Sequence, residues 1–249
     1  MLTEKRQEEI VKLVQKRGSI TLQELLEMFQ ASESTIRRDI TSLDKAGRLT
    51  KVFGGAVANH DHVSHFELSV SQKEDVDIEE KRQIAEFAAS LVAPDDFVYI
   101  DAGTTTGRML EYLQETKATY VTNAVDHAKR LAQKGMQVIL IGGTLKSSTE
   151  AIVGAEAVEQ LKKYHFSKGF FGTNGIHPVY GFTTPDINEA LLKEAAVKHT
   201  QSGNRFFLSA SAKFGQTSSV TFSEFEGVTI LTDKKPDEPV WKKLDIREV

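Results

Sequence analysis

The chain has 249 residues, 40% hydrophobic and 27% charged, with a formal net charge of −4 and no cysteine. This composition belongs to a soluble globular protein and excludes disulfides, thiolate zinc sites and cysteine nucleophiles. No apolar run reaches the roughly 20 residues that span a bilayer, and "MLTEKRQEEIVK" lacks the apolar core of a signal peptide; a cytoplasmic protein without a membrane partner is expected.

Charge divides unevenly along the chain. Residues 1–58 carry ten Lys/Arg against eight Asp/Glu, and the remainder carries 21 against 27. A mildly basic head on an acidic body predicts two jobs, with any polyanion meeting the head.

In the head, Ile10, Leu13 and Val14 give Thr3 to Arg17 a helical spacing that Gly18 ends. Thr21, followed three positions later by Glu24, reads as a capping box opening a second helix, with Leu22, Leu25, Leu26 and Phe29 as its inward stripe. Ser32 caps a third helix, on which Ile36, Ile40 and Leu43 face inward. At 100° per residue, Ser34, Arg38, Thr41 and Lys45 lie opposite, flanked by Thr35 and Arg37. Arginine pairs bidentately with guanine in the major groove and hydroxyls reach bases or phosphates, so this face suits double-stranded DNA. "RLTKVFGGAV" then alternates and breaks at Gly54-Gly55, which predicts a wing carrying Lys51 towards the backbone. The expected DNA-contacting set is Thr21, Ser32, Ser34, Thr35, Arg37, Arg38, Thr41, Lys45 and Lys51.

Arg6 to Val57, with "S-x-x-T-I-R-R-D" at Ser32 and Thr35 to Asp39 and "G-G-A" at Gly54 to Ala56, resembles the helix-turn-helix domain of the DeoR family of bacterial transcription regulators.

Residues 58–80 are polar without a sustained period and read as a linker. His60, His62 and His65, with Asp61, have the chemistry to ligate zinc or nickel, but nothing nearby would orient them, and a solvated linker is the reading preferred.

From Lys81 to Val249 helical and strand-like segments alternate. "FVYID", "TYVTN", "QVILIGG", "KGFFGTNG", "RFFLSAS" and "GVTILTD" are apolar runs with helices between several of them, which predicts a mainly parallel sheet covered on both faces. Ligands of such sheets sit beyond the strands' carboxyl ends. There "DAGTTTG" offers a glycine, three hydroxyls and the free amides of a new helix, a cradle for a small phosphorylated metabolite. It is neither a Walker loop nor a dinucleotide fingerprint. The segments at Thr122-Asn123, Gly142 to Thr144, Gly172 to Gly175, Gly181 to Thr184 and Ala212 to Gly215 should gather at the same edge, with Lys213 placed to neutralise a phosphate.

Lys81 to Asp233 resembles the C-terminal effector domain of the same family. The resemblance implies a winged helix-turn-helix followed by a Rossmann-like α/β domain similar in fold to ribose-5-phosphate isomerase. It implies sugar-phosphate binding at Asp101, Gly103, Thr104, Thr105, Thr106, Asn123, Gly172, Asn174, Gly175 and Lys213. No cofactor is implied. Ala210 and His177 stand where the family commonly has aspartates. Similarity to fructose- and lactose-operon regulators points to fructose 1-phosphate or tagatose 6-phosphate as effector. The resulting expectation is a non-enzymatic repressor of a carbohydrate-catabolic operon, acting as a dimer or tetramer. The alternatives are a DNA-tethered sugar-phosphate isomerase with His177 as base, and an architectural DNA binder.

Overall fold

A computed structural model of the protein describes residues 3–17, 19–58, 63–64, 69–74 and 76–249. Gly18 and the cluster His60, Asp61, His62 and His65 lie outside the described residues. The chain divides into two compact units, Met1–Phe66 and Glu67–Val249.

In the first unit, α1 (Thr3–Arg17), α2 (Leu22–Phe29) and α3 (Glu33–Lys45) surround one core built from Ile10, Val14, Leu25, Ile36, Ile40, Leu43 and Leu49. The capping box at Thr21 forms: the Glu24 N–H donates to Thr21 Oγ1, and Glu24 Oε2 accepts from the Thr21 N–H at 2.8 Å. Gln30 ends α2 in the left-handed region, and two residues later Ser32 caps α3 by accepting from the Thr35 N–H. That short turn sets α2 against α3. The wing is a three-stranded sheet rather than a bare hairpin. Gly55–Val57 is its central strand, antiparallel to Thr50–Val52 on one side and to Ser19–Thr21 on the other. Gly55 is obligatory there, since a Cβ would stand 2.2 Å from the Ile20 carbonyl oxygen.

The second unit is organised by seven strands, all parallel, in the spatial order Ile246–Glu248, Val228–Thr232, Arg205–Leu208, Lys168–Gly172, Phe97–Ile100, Thr119–Thr122, Gln137–Leu140. Alternate residues feed two separate cores. Tyr99, Val121, Phe171 and Phe207 join α8 (Ala155–Leu161) and α9 (Ile187–Lys198) on one face. Val98, Ile100, Tyr120, Phe170 and Phe206 join α5 (Ile78–Ser90), α6 (Thr104–Tyr112) and α7 (Val125–Gln133) on the other. Burial on both sides is why the five inner strands read as unbroken apolar runs.

Three features depart from the sequence reading. Residues 58–80 are not linker throughout: α4 (Val70–Glu74) and the start of α5 belong to the second unit, with the Val70 N–H donating to the Ser148 carbonyl. Gly181–Thr184 is no sheet-edge loop but a fully buried strand, antiparallel to Gly175–His177 and Val220–Ser223. Ile246–Glu248, in the tail, supplies the seventh strand. Ahead of it, Trp241 is buried and meets Phe214 edge-on, ring centroids 5.0 Å apart.

Candidate functional site

The outward face of α3 is assembled as its spacing requires. Ser34, Arg37, Arg38 and Lys45 are exposed and Thr41 is half-exposed, while Ile36, Ile40 and Leu43 are buried. Arg37, Arg38, Thr41, Ser42 and Lys45 border one shallow depression. Their side chains differ in readiness. Arg37 is held by Glu33 at 2.7 Å one turn back, whereas Arg38 has no ion pair among the described residues. Lys51 reaches from the wing to donate to Thr41 Oγ1 at 3.0 Å, so wing and helix share one surface. The hydroxyls of Thr21 and Ser32 are engaged in capping. Sequence reasoning overlooked Asp39, 2% exposed, which accepts from Arg6 Nε at 2.6 Å and Gln7 Nε2 at 3.0 Å. This buried pair ties α3 to α1, and a carboxylate between Ile36 and Ile40 on the inward side was the available signal.

In the second unit a cavity of about 200 Å³ opens at the carboxyl ends of the central strands. Asp101, Gly103, Thr104, Thr105, Asn123, Gly172, Asn174 and Lys213 line it as expected. Two expected residues do not. Thr106 is turned away, fully buried, and donates to the Gly103 carbonyl. Gly175 is inside a strand, where a Cβ would strike the Gln216 carbonyl at 2.5 Å. The Gly142–Thr144 segment also stays outside the cavity wall.

Gly103 opens α6 with no side-chain cap, leaving the first-turn amides beside the hydroxyls of Thr104 and Thr105. Asn123 is held at both ends of its amide: its Oδ1 accepts from Tyr99 Oη at 3.1 Å and the Ala102 N–H at 2.9 Å, and its Nδ2 donates to the Ile152 carbonyl at 3.2 Å. It fixes the cradle loop. Asp101, 1% exposed, accepts from the Gly172 N–H at 3.1 Å and pairs with Lys193. Burial pushes the Asp101 carboxyl up while Lys193 opposes the shift.

Lysines dominate the remaining wall. Lys193 from α9, Lys81 from α5 and Lys73 from α4 join Lys213. The sequence reading had assigned only Lys213 to the site; the others stand on helices, where a lysine normally signals a solvated face. Lys213 donates to the Thr173 carbonyl at 2.6 Å from a short turn that Asp233 holds by accepting from the Ser211 N–H and hydroxyl. Burial and then the charges of Lys81 and Lys73 bring Lys213 down to about 7. Burial brings Lys81 down to about 8, Asp77 partly offsetting it. Ammonium groups crowded this way are stabilised by an anion between them.

His177, the possible base of the isomerase alternative, lies away from this cavity. Its Nδ1 accepts from the Val179 and Tyr180 N–H groups, and its ring stacks on Tyr180 at 4.6 Å.

A helix-turn-helix unit with a cationic outer face, followed by an α/β unit with a cation-lined cavity, defines a transcription regulator with a sensor domain. Residues 6–62 match the DeoR-like helix-turn-helix domain and residues 76–234 match the DeoR C terminal sensor domain; the chain belongs to the DeoR family. It is 41% identical over 236 residues to the "Uncharacterized HTH-type transcriptional regulator FruR" of Bacillus subtilis, covering 93% of this chain and 91% of that one. It is 33% identical over 253 residues to the "Lactose phosphotransferase system repressor" of Streptococcus mutans, covering 100% and 99%. Among solved structures, ribose 5 phosphate isomerase A from Neisseria gonorrhoeae is similar over 54% of this chain and 52% of its own, at 14% identity and a TM-score of 0.39. Overlap of that extent carries nothing about chemistry.

Proposed function

We propose that the chain represses a carbohydrate-catabolic operon in the cytoplasm and that a phosphorylated sugar, bound in the α6 cavity, releases it from double-stranded operator DNA. The observation that carries this reading is the convergence of lysines from α4, α5, α9 and the Ser211–Lys213 turn on an uncapped helix N-terminus, in a body whose net charge is negative. Phosphate answers the cations and amides; sugar hydroxyls answer Asn174 and Thr173. Fructose 1-phosphate or tagatose 6-phosphate is the effector carried forward in this reading. DNA contact falls to the α3 face and Lys51. Paired heads in a dimer or tetramer supply the base pairs that one head lacks. Val70, Lys73, Val76 and Asp77 form part of the cavity wall, so a ligand there acts directly on the first helical segment after the head.

Binding without turnover is favoured over isomerisation because Asp101 and Glu189, two buried carboxylates of the cavity, are each tied to a lysine, Lys193 and Lys146. Neither is poised to move a proton between sugar carbons. The deciding experiment is a thermal-shift screen of phosphorylated hexoses and pentoses, followed by DNA-release and turnover assays on each hit. A ligand at 100 times its Kd should stabilise the body by about 2.7 kcal/mol and weaken DNA binding. Thr105→Glu should abolish this response and leave DNA affinity intact. Stabilisation by no sugar phosphate, or measurable ketose–aldose exchange, would overturn the proposal.

A further inference from the structure

The tip of the wing is built to present an aromatic ring to solvent. Val52 pairs with Gly55, so Phe53 and Gly54 alone make the turn, and Gly54 supplies the positive φ of +85° that such a turn needs. Phe53 is 109% exposed, and Val52 beside it is 41% exposed. The tip is not loose: the Gly54 carbonyl accepts from the Leu22 N–H at 2.7 Å, and Gly55 is wedged against the Ile20 backbone. Two residues before Phe53, Lys51 is anchored at both ends, its N–H to Asp44 at 2.8 Å and its Nζ to Thr41. The ring is therefore carried on a stiff projection continuous with the cationic face of α3. It contributes no packing to the head, so the fold does not account for it.

Resting on the reading that the head grips DNA, we propose that Phe53 is an apolar wedge that enters the minor groove beside the major-groove seat of α3 and partly unstacks one base step. A two-residue turn is narrow enough for a groove about 6 Å wide. Apolar side chains inserted between base steps open them most readily at flexible pyrimidine–purine steps. Lys51 on the same strand sits where it meets the bordering phosphates. Phe53 would thus add a preference for deformable sequence at a position that the α3 side chains do not touch.

The test uses the full-length protein and a duplex it selects from a random pool, with 2-aminopurine placed in turn at the steps flanking the α3 footprint. Wild-type protein should brighten the probe at one step. Phe53→Ala should lose roughly ten- to hundredfold in affinity, the scale of one ring leaving water, and lose the brightening. Its dependence on salt should be unchanged, since no charge is removed. Phe53→Leu should restore most of both signals. Melting of the free protein should be the same for all three. Arg38→Ala is the control for the underlying reading: if it too leaves DNA binding unaltered, the DNA face itself is misplaced. If Arg38→Ala weakens binding but Phe53→Ala does not, only the wedge is overturned. Loss of affinity in Phe53→Ala accompanied by dissociation of the oligomer in sedimentation would also overturn it, giving the ring to a second copy of the chain.

Discussion

Lys213 concentrates the chemistry of the cavity in one group. Its folded pKa of about 7 lies below the usual 10.5, so between those limits the unfolded chain holds a proton that the folded chain has lost. Stability must therefore rise with pH across that window as far as Lys213 is concerned. Ligand binding runs the other way. An anion needs the charged form, and above pH 7 it can have it only by taking up a proton. Affinity should fall by up to about tenfold per pH unit above 7, more steeply once Lys81, held near 8, also discharges. Lys73, Asp77 and Lys193 also face the group, and none of them reverses the sign. Titration calorimetry from pH 6 to 9, in buffers of different ionisation enthalpy, should show this proton uptake. Lys213→Met should remove the part of this uptake that sets in near pH 7 and leave the part due to Lys81, weaken binding and raise the melting temperature of the body near pH 7. A pH-independent affinity in the wild type would contradict the assignment of Lys213.

At the scale of elements, α3 owes its position to one buried ion pair as much as to its apolar stripe. Asp39→Ala would remove the buried carboxylate to which Arg6 Nε and Gln7 Nε2 donate, and breaking such a buried ion pair costs about 3–5 kcal/mol. That is most of what a head of this size holds in reserve. The variant should melt its head early, lose DNA binding and keep the body's own transition and ligand response; one unchanged transition in calorimetry would refute this. The helices of the head were legible because their caps and stripes are local: Thr21 with Glu24, and Ser32 ahead of Ile36. The five inner strands were legible because burial on both faces writes an unbroken apolar run; Gln137–Leu140, at the sheet's edge and only partly buried, was legible from its apolar run alone. What escaped was whatever depends on distant partners. Ser19–Thr21 is a strand only because Gly55–Val57 lies beside it. Val70–Glu74 carries no period of its own and gains its place by packing on the body. Lys81 and Lys193 look like surface charges until the fold brings their surroundings to them.

At the scale of the whole molecule, the two units divide the labour that the charge asymmetry announced. The body's strand ends collect loops from Asp101 to Lys213 that no window of sequence contains together, which is why glycine-rich turns pointed to the edge of the sheet but not to the residues that line it. Thr106 and Gly175 show the limit: each has the right chemistry and stands one or two positions from the wall, but the helix turn or the pleat directs it elsewhere. Trp241, the single tryptophan of the sequence, is seated edge-on against Phe214, the residue that follows Lys213. Its indole is thus an optical tap wired two side chains from the cavity. Emission from unlabelled protein should change in wavelength or intensity when a phosphosugar draws on Lys213, and Phe214→Leu should mute that change. A silent spectrum at saturating ligand would mean that the turn carrying the lysine stays still on occupancy.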